Sequence, residues 1–173
     1  MMKTISPNEG FALSAPMVYT VVTCNDEHGK ANALGVSWVT RTSFEPFLLL
    51  ISIDHLRYSR NGIRKNGEFV VNYPGEPHMK GAWICGTTSG RDTDKTKTSG
   101  LSFIPSEKVR APTIDGVVVA FECIVVSEHE TGDHTVFVGR VVSARYNPDL
   151  TRHLYVTNEF RLFTMDNSPP GSD

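Results

Sequence analysis

The stretch Gly132-Asp133-His134-Thr135-Val136-Phe137-Val138-Gly139 is a tight polar turn that leads into an apolar strand. Glycine and aspartate favour turns, and alternating valines are typical of a half-buried β-strand. The stretch predicts a long hairpin in which residues 117–126 and 135–144 pair around a turn at 128–134. His134 lies where the turn ends, and its imidazole can exchange a proton near neutral pH or face a planar ring. A structural histidine bonded to the turn backbone fits the same position.

Short strand patterns dominate the rest of the chain. They cover residues 17–23, 31–39, 47–53 and 69–72, with a mixed element at 154–165. Helices are predicted at 59–65, with Ser59 as N-cap, and at 77–84, whereas 92–99 is expected to be a loop or a frayed turn. Many short strands with few helices favour a mainly β fold, a β-barrel with helical decorations.

The length and composition exclude several classes of function. The chain has 173 residues, which suits one domain, predicted at 1–165, followed by a disordered tail at 166–173. With 17 basic and 19 acidic residues, it lacks the basic field that nucleic acids require. No apolar run is long enough to cross a membrane, and no signal peptide is recognisable. Three cysteines without a CxxC pair indicate no disulfide framework, so a cytoplasmic location is expected.

Several well-known site motifs are missing from the sequence. There is no GxGxxG and no GxxxxGK[ST], which argues against a Rossmann or P-loop nucleotide site. His129 and His134 are five residues apart, and Gly132 interrupts any helix that would align them for zinc. We therefore expect no metal site.

Three polar segments are candidates for a ligand site. Residues 32–46 combine small residues and hydroxyls around Trp38, which suits a flat ligand along a strand; composition alone favours a threonine-rich edge hairpin. Arg57-Tyr58-Ser59 precedes a helix and suits a phosphate, although an exposed arginine before an N-cap is common. Residues 85–95 form a glycine-rich loop in which Arg91 and Lys95 can neutralise an anion. Cys85 is either a redox or catalytic residue or simply a buried structural cysteine.

Taken in order, these segments resemble the flavin reductase-like family of FMN-binding split β-barrels, from about residue 16 to 146. The resemblance is carried by Asn32, Ser37-Trp38, Ser43, Pro46, Ile51-Ser52-Ile53, Arg57-Tyr58-Ser59, the stretch 67–72, Cys85-Gly86, Ser89-Gly90-Arg91-Asp92, Lys95, Glu122-Cys123, Gly132-Asp133-His134, Val138-Gly139 and Val141. The Cys-Gly and Ser-Gly-Arg-Asp pieces are most similar to the flavoredoxin branch. Phe47 follows Pro46 where many relatives have a second proline.

The resemblance implies a cofactor, a site and partners. FMN would be the cofactor and NADH or NADPH the hydride donor, with His134 as catalytic residue facing the ring. The implied cofactor-binding residues are Val36, Ser37, Trp38, Val39, Thr40, Ser43, Arg57, Ser59, Cys85, Ser89, Gly90, Arg91 and Lys95. Arg57 and Ser59 would hold the phosphate, and the stretch 89–95 would lie over or beside the flavin. A homodimer would complete the site, and electrons would pass to free flavin, a ferric complex or a partner such as a monooxygenase.

Three other functions are compatible with the sequence. The first is a flavoredoxin-like electron carrier that never binds nicotinamide. The second is another split barrel, of the pyridoxamine-phosphate oxidase type or a haem-handling protein. The third is a small β-barrel that binds an unrelated ligand.

Overall fold

A computed structural model describes residues 2–165 of the chain. Within this range there are four α-helices and twelve strands. They are, in order, α1 (Pro7–Ala12), β1 (Met17–Val18), β2 (Thr20–Asn25), β3 (Ala31–Val36), β4 (Val39–Ser43), β5 (Leu48–Asp54), α2 (Ser59–Asn66), β6 (Glu68–Tyr73), α3 (Met79–Thr87), α4 (Lys95–Thr98), β7 (Phe103–Ile104), β8 (Thr113–Ile114), β9 (Val119–Thr131), β10 (His134–Tyr146), β11 (Leu154–Val156) and β12 (Leu162–Thr164). The predicted tail at 166–173 lies outside the described residues, so the division into domain and tail stays a prediction.

The central sheet has seven antiparallel strands in the order β3-β2-β6-β9-β10-β5-β4. Its two edge strands, β3 and β4, follow each other in the chain and are joined only by Ser37 and Trp38. Because a residue spans at most about 3.6 Å, this link forces the two edges of the sheet together. The sheet therefore curls into a barrel that is split at one seam, which confirms the predicted mainly β split barrel.

The long hairpin predicted from the sequence is present and longer than expected. β9 and β10 each have 13 residues and meet at Gly132-Asp133, where Gly132 has a φ of 56°. β10 also pairs with β5, so that His134 lies opposite Asp54 and Thr135 opposite Ile53. Strand β10 is therefore held on both sides, and the position of His134 is fixed by two registers.

Two clusters of buried apolar side chains form the core. One fills the barrel and includes Ile51, Phe69 and Phe137, all without exposed surface; the other lies between the sheet and α3 and includes Val70 and Ala82. Each fully buried side chain of this size contributes roughly 1.5–3 kcal/mol. The alternation of β5 is the reason that Leu49, Ile51 and Ile53 all point into the barrel.

Some local expectations are wrong. The predicted strand at 31–39 is interrupted at Ser37-Trp38, because the chain passes there from one edge of the sheet to the other. Ser59 is not an N-cap: Tyr58 takes that place, while Ser59 is buried and its hydroxyl accepts a 2.7 Å hydrogen bond from the Asn32 amide. The segment at 92–99, expected to be a loop or a frayed turn, contains the four-residue helix α4.

Other helix boundaries differ less. The helix predicted at 77–84 begins later, as α3, and is preceded by a short 3-10 turn at Glu76–His78. Helix α1 has no counterpart among the predicted elements. Its start is a capping box in which Ser6 and Glu9 bond to each other's backbone.

Gly139 is the point of closest packing inside the hairpin. A Cβ atom there would lie 2.6 Å from the Phe69 ring and 2.8 Å from Cβ of Cys123. We expect Gly139→Ala to lower the free energy of unfolding by about 1–3 kcal/mol through overpacking. Denaturant unfolding checks this against Gly10→Ala, whose new Cβ would meet nothing closer than 3.7 Å. Equal stability of the two variants would contradict the packing described.

Candidate functional site

A cavity of about 910 Å³ opens at the seam of the barrel. Its volume is in the range of small-molecule sites, roughly 300–1,000 Å³. It is lined by α1, the β3 edge, the end of β5, α3, the tip of the β11–β12 hairpin and His134. The residues that line it include Asn8, Phe11, Tyr19, Leu34, Gly35, Val36, Ser37, Trp38, Ser52, Asp54, Arg57, Trp83, Gly86, Thr87, His134, Thr157, Glu159 and Phe160.

The floor of the cavity is backbone where β3 meets α3. A Cβ atom on Gly35 would lie 2.9 Å from the Cα atom of Gly86 and would collide with the hydroxyl of Tyr19. That hydroxyl donates a 3.2 Å hydrogen bond to the Ala82 carbonyl. Glycine is thus required at position 35, because Tyr19 and the backbone of Gly86 approach it too closely for a side chain. Since an edge strand also presents unpaired backbone groups, a flat ligand can reach the backbone here.

Trp38 and His134 form an aromatic wall of the cavity. Their rings stack with centroids 4.5 Å apart and an angle of 27° between the planes. The Phe11 ring is nearly perpendicular to that of Trp38, and the two ring centroids are 5.8 Å apart. The wall exists because the seam link and the start of β10 are neighbours across β5. Such a pair of rings can contact a planar ligand through its face or edge.

Asp133 fixes the tautomer of His134. Nδ1 of His134 lies 2.5 Å from Oδ1 of Asp133, and this hydrogen bond holds the pKa of the Asp133 carboxyl below its usual value. Because an ionised carboxylate only accepts, Nδ1 carries the proton and donates it. The amide of His55 donates to the Asp133 carbonyl at 3.0 Å, which ties this turn to the loop after β5. Nε2 of His134 is left for a ligand, since it has no partner within residues 2–165.

Arginines gather where the loop after β5 leads into α2. Arg57 lines the cavity just before this helix, whose first turn has no side-chain cap. Arg91 donates to the Leu56 carbonyl at 3.1 Å, and its guanidinium lies 5.7 Å from the centroid of the Tyr58 ring. Uncapped backbone N–H groups and nearby guanidinium groups are a suitable environment for a phosphate.

The glycine-rich loop reaches this same region. A Cβ atom on Gly90 would lie 2.5 Å from the Asn32 side-chain oxygen and 2.7 Å from the Tyr58 ring. The backbone N–H of Arg91 donates to the Ser89 hydroxyl at 3.2 Å. The structure therefore brings Ser89, Gly90 and Arg91 next to the Arg57-Tyr58-Ser59 segment, although these three residues do not line the cavity.

Two of the sequence-predicted site residues are buried beneath the floor. Lys95 donates from Nζ to the carbonyls of Ala33, at 2.6 Å, and Cys85, at 2.9 Å, and burial lowers its pKa. Burial raises the pKa of the Cys85 thiol to about 11, so that it is neutral at pH 7 and a poor nucleophile. Direct contact of either side chain with a ligand stays a prediction.

The other predicted site residues fall into two groups, one at the cavity and one along β4. Val36, Ser37, Trp38, Arg57 and His134 line the cavity. Val39, Thr40 and Ser43 continue along β4, and Val39 packs against the barrel core.

Several residues of the cavity could not be predicted from the sequence. Phe11, Trp83 and Phe160 are aromatic and line the cavity, yet none belongs to a recognised pattern. The Ser6–Glu9 capping box would have indicated α1 and thus Phe11. The position of Phe160 depends on how the β11–β12 hairpin docks, and no local pattern encodes that.

An ion-pair network joins α2 to the hairpin beside His134. Glu130 is 2.7 Å from Nη2 of Arg60 and also binds Arg64. Arg60 donates from Nε to the buried hydroxyl of Thr135 at 2.7 Å, and that hydroxyl donates to Glu130 at 3.1 Å. The network connects the helix that follows Arg57 to the strand that begins with His134. It therefore holds the two ends of the site in a fixed relation.

Two kinds of feature are absent from residues 2–165. No group of three or more histidine, cysteine, aspartate or glutamate side chains could hold a metal ion. None of the helices is long and apolar enough to cross a membrane.

Comparison with known proteins gives consistent matches. A family model described as flavin reductase like domain matches residues 13–163. An uncharacterized protein of Pyrococcus abyssi is 36% identical, over 82% of this chain and 80% of that protein. An NADH-dependent flavin reductase of a Rhodococcus species is 30% identical, over 86% of this chain and 78% of the reductase. The structure of flavoredoxin from Desulfovibrio vulgaris (Miyazaki F) has the same fold, with a TM-score of 0.86, 19% identity and coverage of 99% and 97% of the two chains.

The ion-pair network around Glu130 should make the stability of the fold depend on pH in the acid range. Hydrogen bonding by Arg64 lowers the pKa of Glu130 from 4.5 to about 2. A lowered carboxyl pKa stabilises the fold at higher pH, and this stabilisation is lost as the pH falls from about 4.5 towards 2. We expect Glu130→Gln to show a smaller drop in melting temperature than the parent between pH 5 and pH 3, on the order of 1–2 °C smaller.

Glu45→Gln is the matched control for this measurement. Glu45 is exposed and has no charged partner among the described residues. Glu45→Gln should show the same drop in melting temperature as the parent between pH 5 and pH 3. The same response in the parent and in Glu130→Gln would rule out the network as a stabilising feature.

Proposed function

The chain belongs to the flavin reductase-like domain family, and on that basis we propose that it is an FMN-dependent oxidoreductase. It takes electrons from NADH or NADPH and passes them to free flavin, a ferric complex or a partner protein such as a monooxygenase. The observation that carries this proposal is the Trp38–His134 stack in a cavity that also contains Arg57. The Rhodococcus relative, an NADH-dependent flavin reductase, supports the same reaction class.

The residues of the cavity fit a flavin mononucleotide. Gly35 and Gly86 line the cavity without side chains of their own, which suits a flat ring lying against backbone N–H and C=O groups. Ser37, at the seam, lines the cavity and supplies a hydroxyl. Arg57, with Arg91 nearby, suits the terminal phosphate, because guanidinium groups bind phosphate oxygens in pairs. Apolar surface, a backbone edge and a cationic end are the three features that this cofactor requires.

The side chains hold and orient the reactants. FMN, when bound, supplies the two-electron chemistry between the nicotinamide and the acceptor. His134 keeps its proton on Nδ1 through Asp133 and offers Nε2 to a polar group of a ligand. Trp38 restricts the imidazole to one plane by stacking on it. These contacts position a planar ligand, and they do not require His134 to act as a strong acid or base.

The proposal includes a cytoplasmic homodimer. Cys24, Cys85 and Cys123 are free and buried, which is consistent with a reducing compartment. The family resemblance supports the proposal that a second copy completes the site.

Arg57→Ala tests the phosphate assignment. Losing a charge-assisted hydrogen bond costs about 1.5–3 kcal/mol, so we expect the Kd for FMN to rise by roughly tenfold or more. Titration of the apoprotein with FMN, followed by flavin fluorescence, measures this. Arg110→Ala is the control, because the Arg110 side chain is exposed and lies outside the cavity. An unchanged Kd in Arg57→Ala would remove Arg57 from the phosphate site.

His134→Ala separates catalysis from cofactor binding. We expect NAD(P)H oxidation to fall by about tenfold because the positioned imidazole is lost, while the Kd for FMN changes much less. Steady-state rates at saturating FMN and an FMN titration measure the two quantities. His129→Ala, in the same hairpin and exposed, should retain both. Full turnover in His134→Ala would show that the histidine has no role in the reaction.

A further inference from the structure

Phe160 has an unusual backbone conformation at the mouth of the cavity. Its φ is 58°, and it is the one non-glycine residue with positive φ within residues 2–165. A side chain with a Cβ atom is strained in this left-handed region, and for a bulky residue the conformation is a genuine outlier. Hairpin loops that need such a conformation usually place glycine there.

The surrounding turn determines this conformation. Thr157 donates its backbone N–H to the Arg161 carbonyl at 3.0 Å, and Phe160 donates its own to the Thr157 carbonyl at 3.0 Å. The Arg161 backbone N–H donates to the Thr157 hydroxyl at 3.1 Å. The turn closes the β11–β12 hairpin, in which Val156 pairs with Leu162. Hydrogen bonds on both sides therefore hold the backbone of Phe160 in the left-handed conformation, and it cannot change while these bonds are intact.

Packing within the chain does not account for a phenylalanine here. The side chain lines the cavity but is 73% exposed, whereas Tyr19 on the floor is only 7% exposed. No other aromatic ring of the described residues stacks on it. The ring thus occupies a strained, solvent-facing place in which glycine would be tolerated better. Its position is explained if the ring contacts a ligand that enters the mouth.

We propose that Phe160 is a specificity-determining residue that stacks on the nicotinamide ring of the hydride donor. This inference rests on the proposed function. An exposed ring at the mouth suits a ligand that binds and leaves in every cycle, because the ring makes apolar contacts only while that ligand is present. A permanently bound cofactor is better served by the partly buried floor at Gly35 and Gly86.

Three substitutions of Phe160 test the proposal. Phe160→Gly removes both the ring and the strain, so we expect an unchanged melting temperature or a rise of about 2–4 °C. The KM for NADH or NADPH should rise by about 3–10-fold, the range expected for a lost aromatic contact. The turnover number and the Kd for FMN should stay within about twofold. Phe160→Tyr should retain the parental KM, whereas Phe160→Leu should be intermediate.

Phe44→Ala is the matched control. Phe44 is 75% exposed, a value close to that of Phe160, and it does not line the cavity. Its variant should leave the KM unchanged.

The outcomes separate this inference from the proposed function. An unchanged KM in Phe160→Gly overturns the inference, and so does a weakened FMN affinity with a constant KM, which would place the ring on the flavin. Failure of the parent protein to bind FMN or to oxidise either nucleotide overturns the proposed function first, and this inference with it.

Discussion

The two-residue link Ser37-Trp38 determines both the closure of the sheet and the position of the aromatic wall. It joins the two edge strands of a seven-stranded sheet, so the edges must meet and the sheet must close into a split barrel. The same link carries Trp38, whose carbonyl accepts a 3.0 Å hydrogen bond from the Ser52 amide on the neighbouring strand. Closure of the barrel and construction of the aromatic wall are therefore consequences of one connection. The seam also leaves backbone groups of an edge strand facing the cavity.

The rest of the site is supported from the opposite side by the hairpin. The register of β10 against β5 places His134 opposite Asp54, three residues before Arg57. The Asp133 carbonyl, the Glu130 carboxylate and the Thr135 hydroxyl each bind the loop or the helix that follows β5. Exposed ion pairs contribute little stability individually. Their collective effect is geometric, because they hold the imidazole and the arginines at a fixed separation within one rigid frame.

Local patterns encoded the parts of this structure that depend on local physics. The Gly132-Asp133 turn and the alternating valines after it predicted the hairpin, because turn preference and strand alternation act over a few residues. The break at Ser37-Trp38 was missed, since the apolar residues on both sides form an uninterrupted strand pattern. Lys95 is a polar loop residue by sequence, yet tertiary contacts bury it beneath the cavity floor. Phe160 carries no sign in the sequence that its backbone is left-handed.

In the proposed reaction, a nicotinamide nucleotide reduces a flavin bound in the seam cavity. Anaerobic mixing of the FMN-loaded protein with NADH and, separately, with NADPH tests this reaction, with the visible absorbance of the flavin as readout. At least one nucleotide should bleach the flavin, and readmission of oxygen should restore the colour. A flavin that stays coloured with both nucleotides, but is bleached by dithionite, would rule out this reaction and indicate a carrier that receives electrons from a protein.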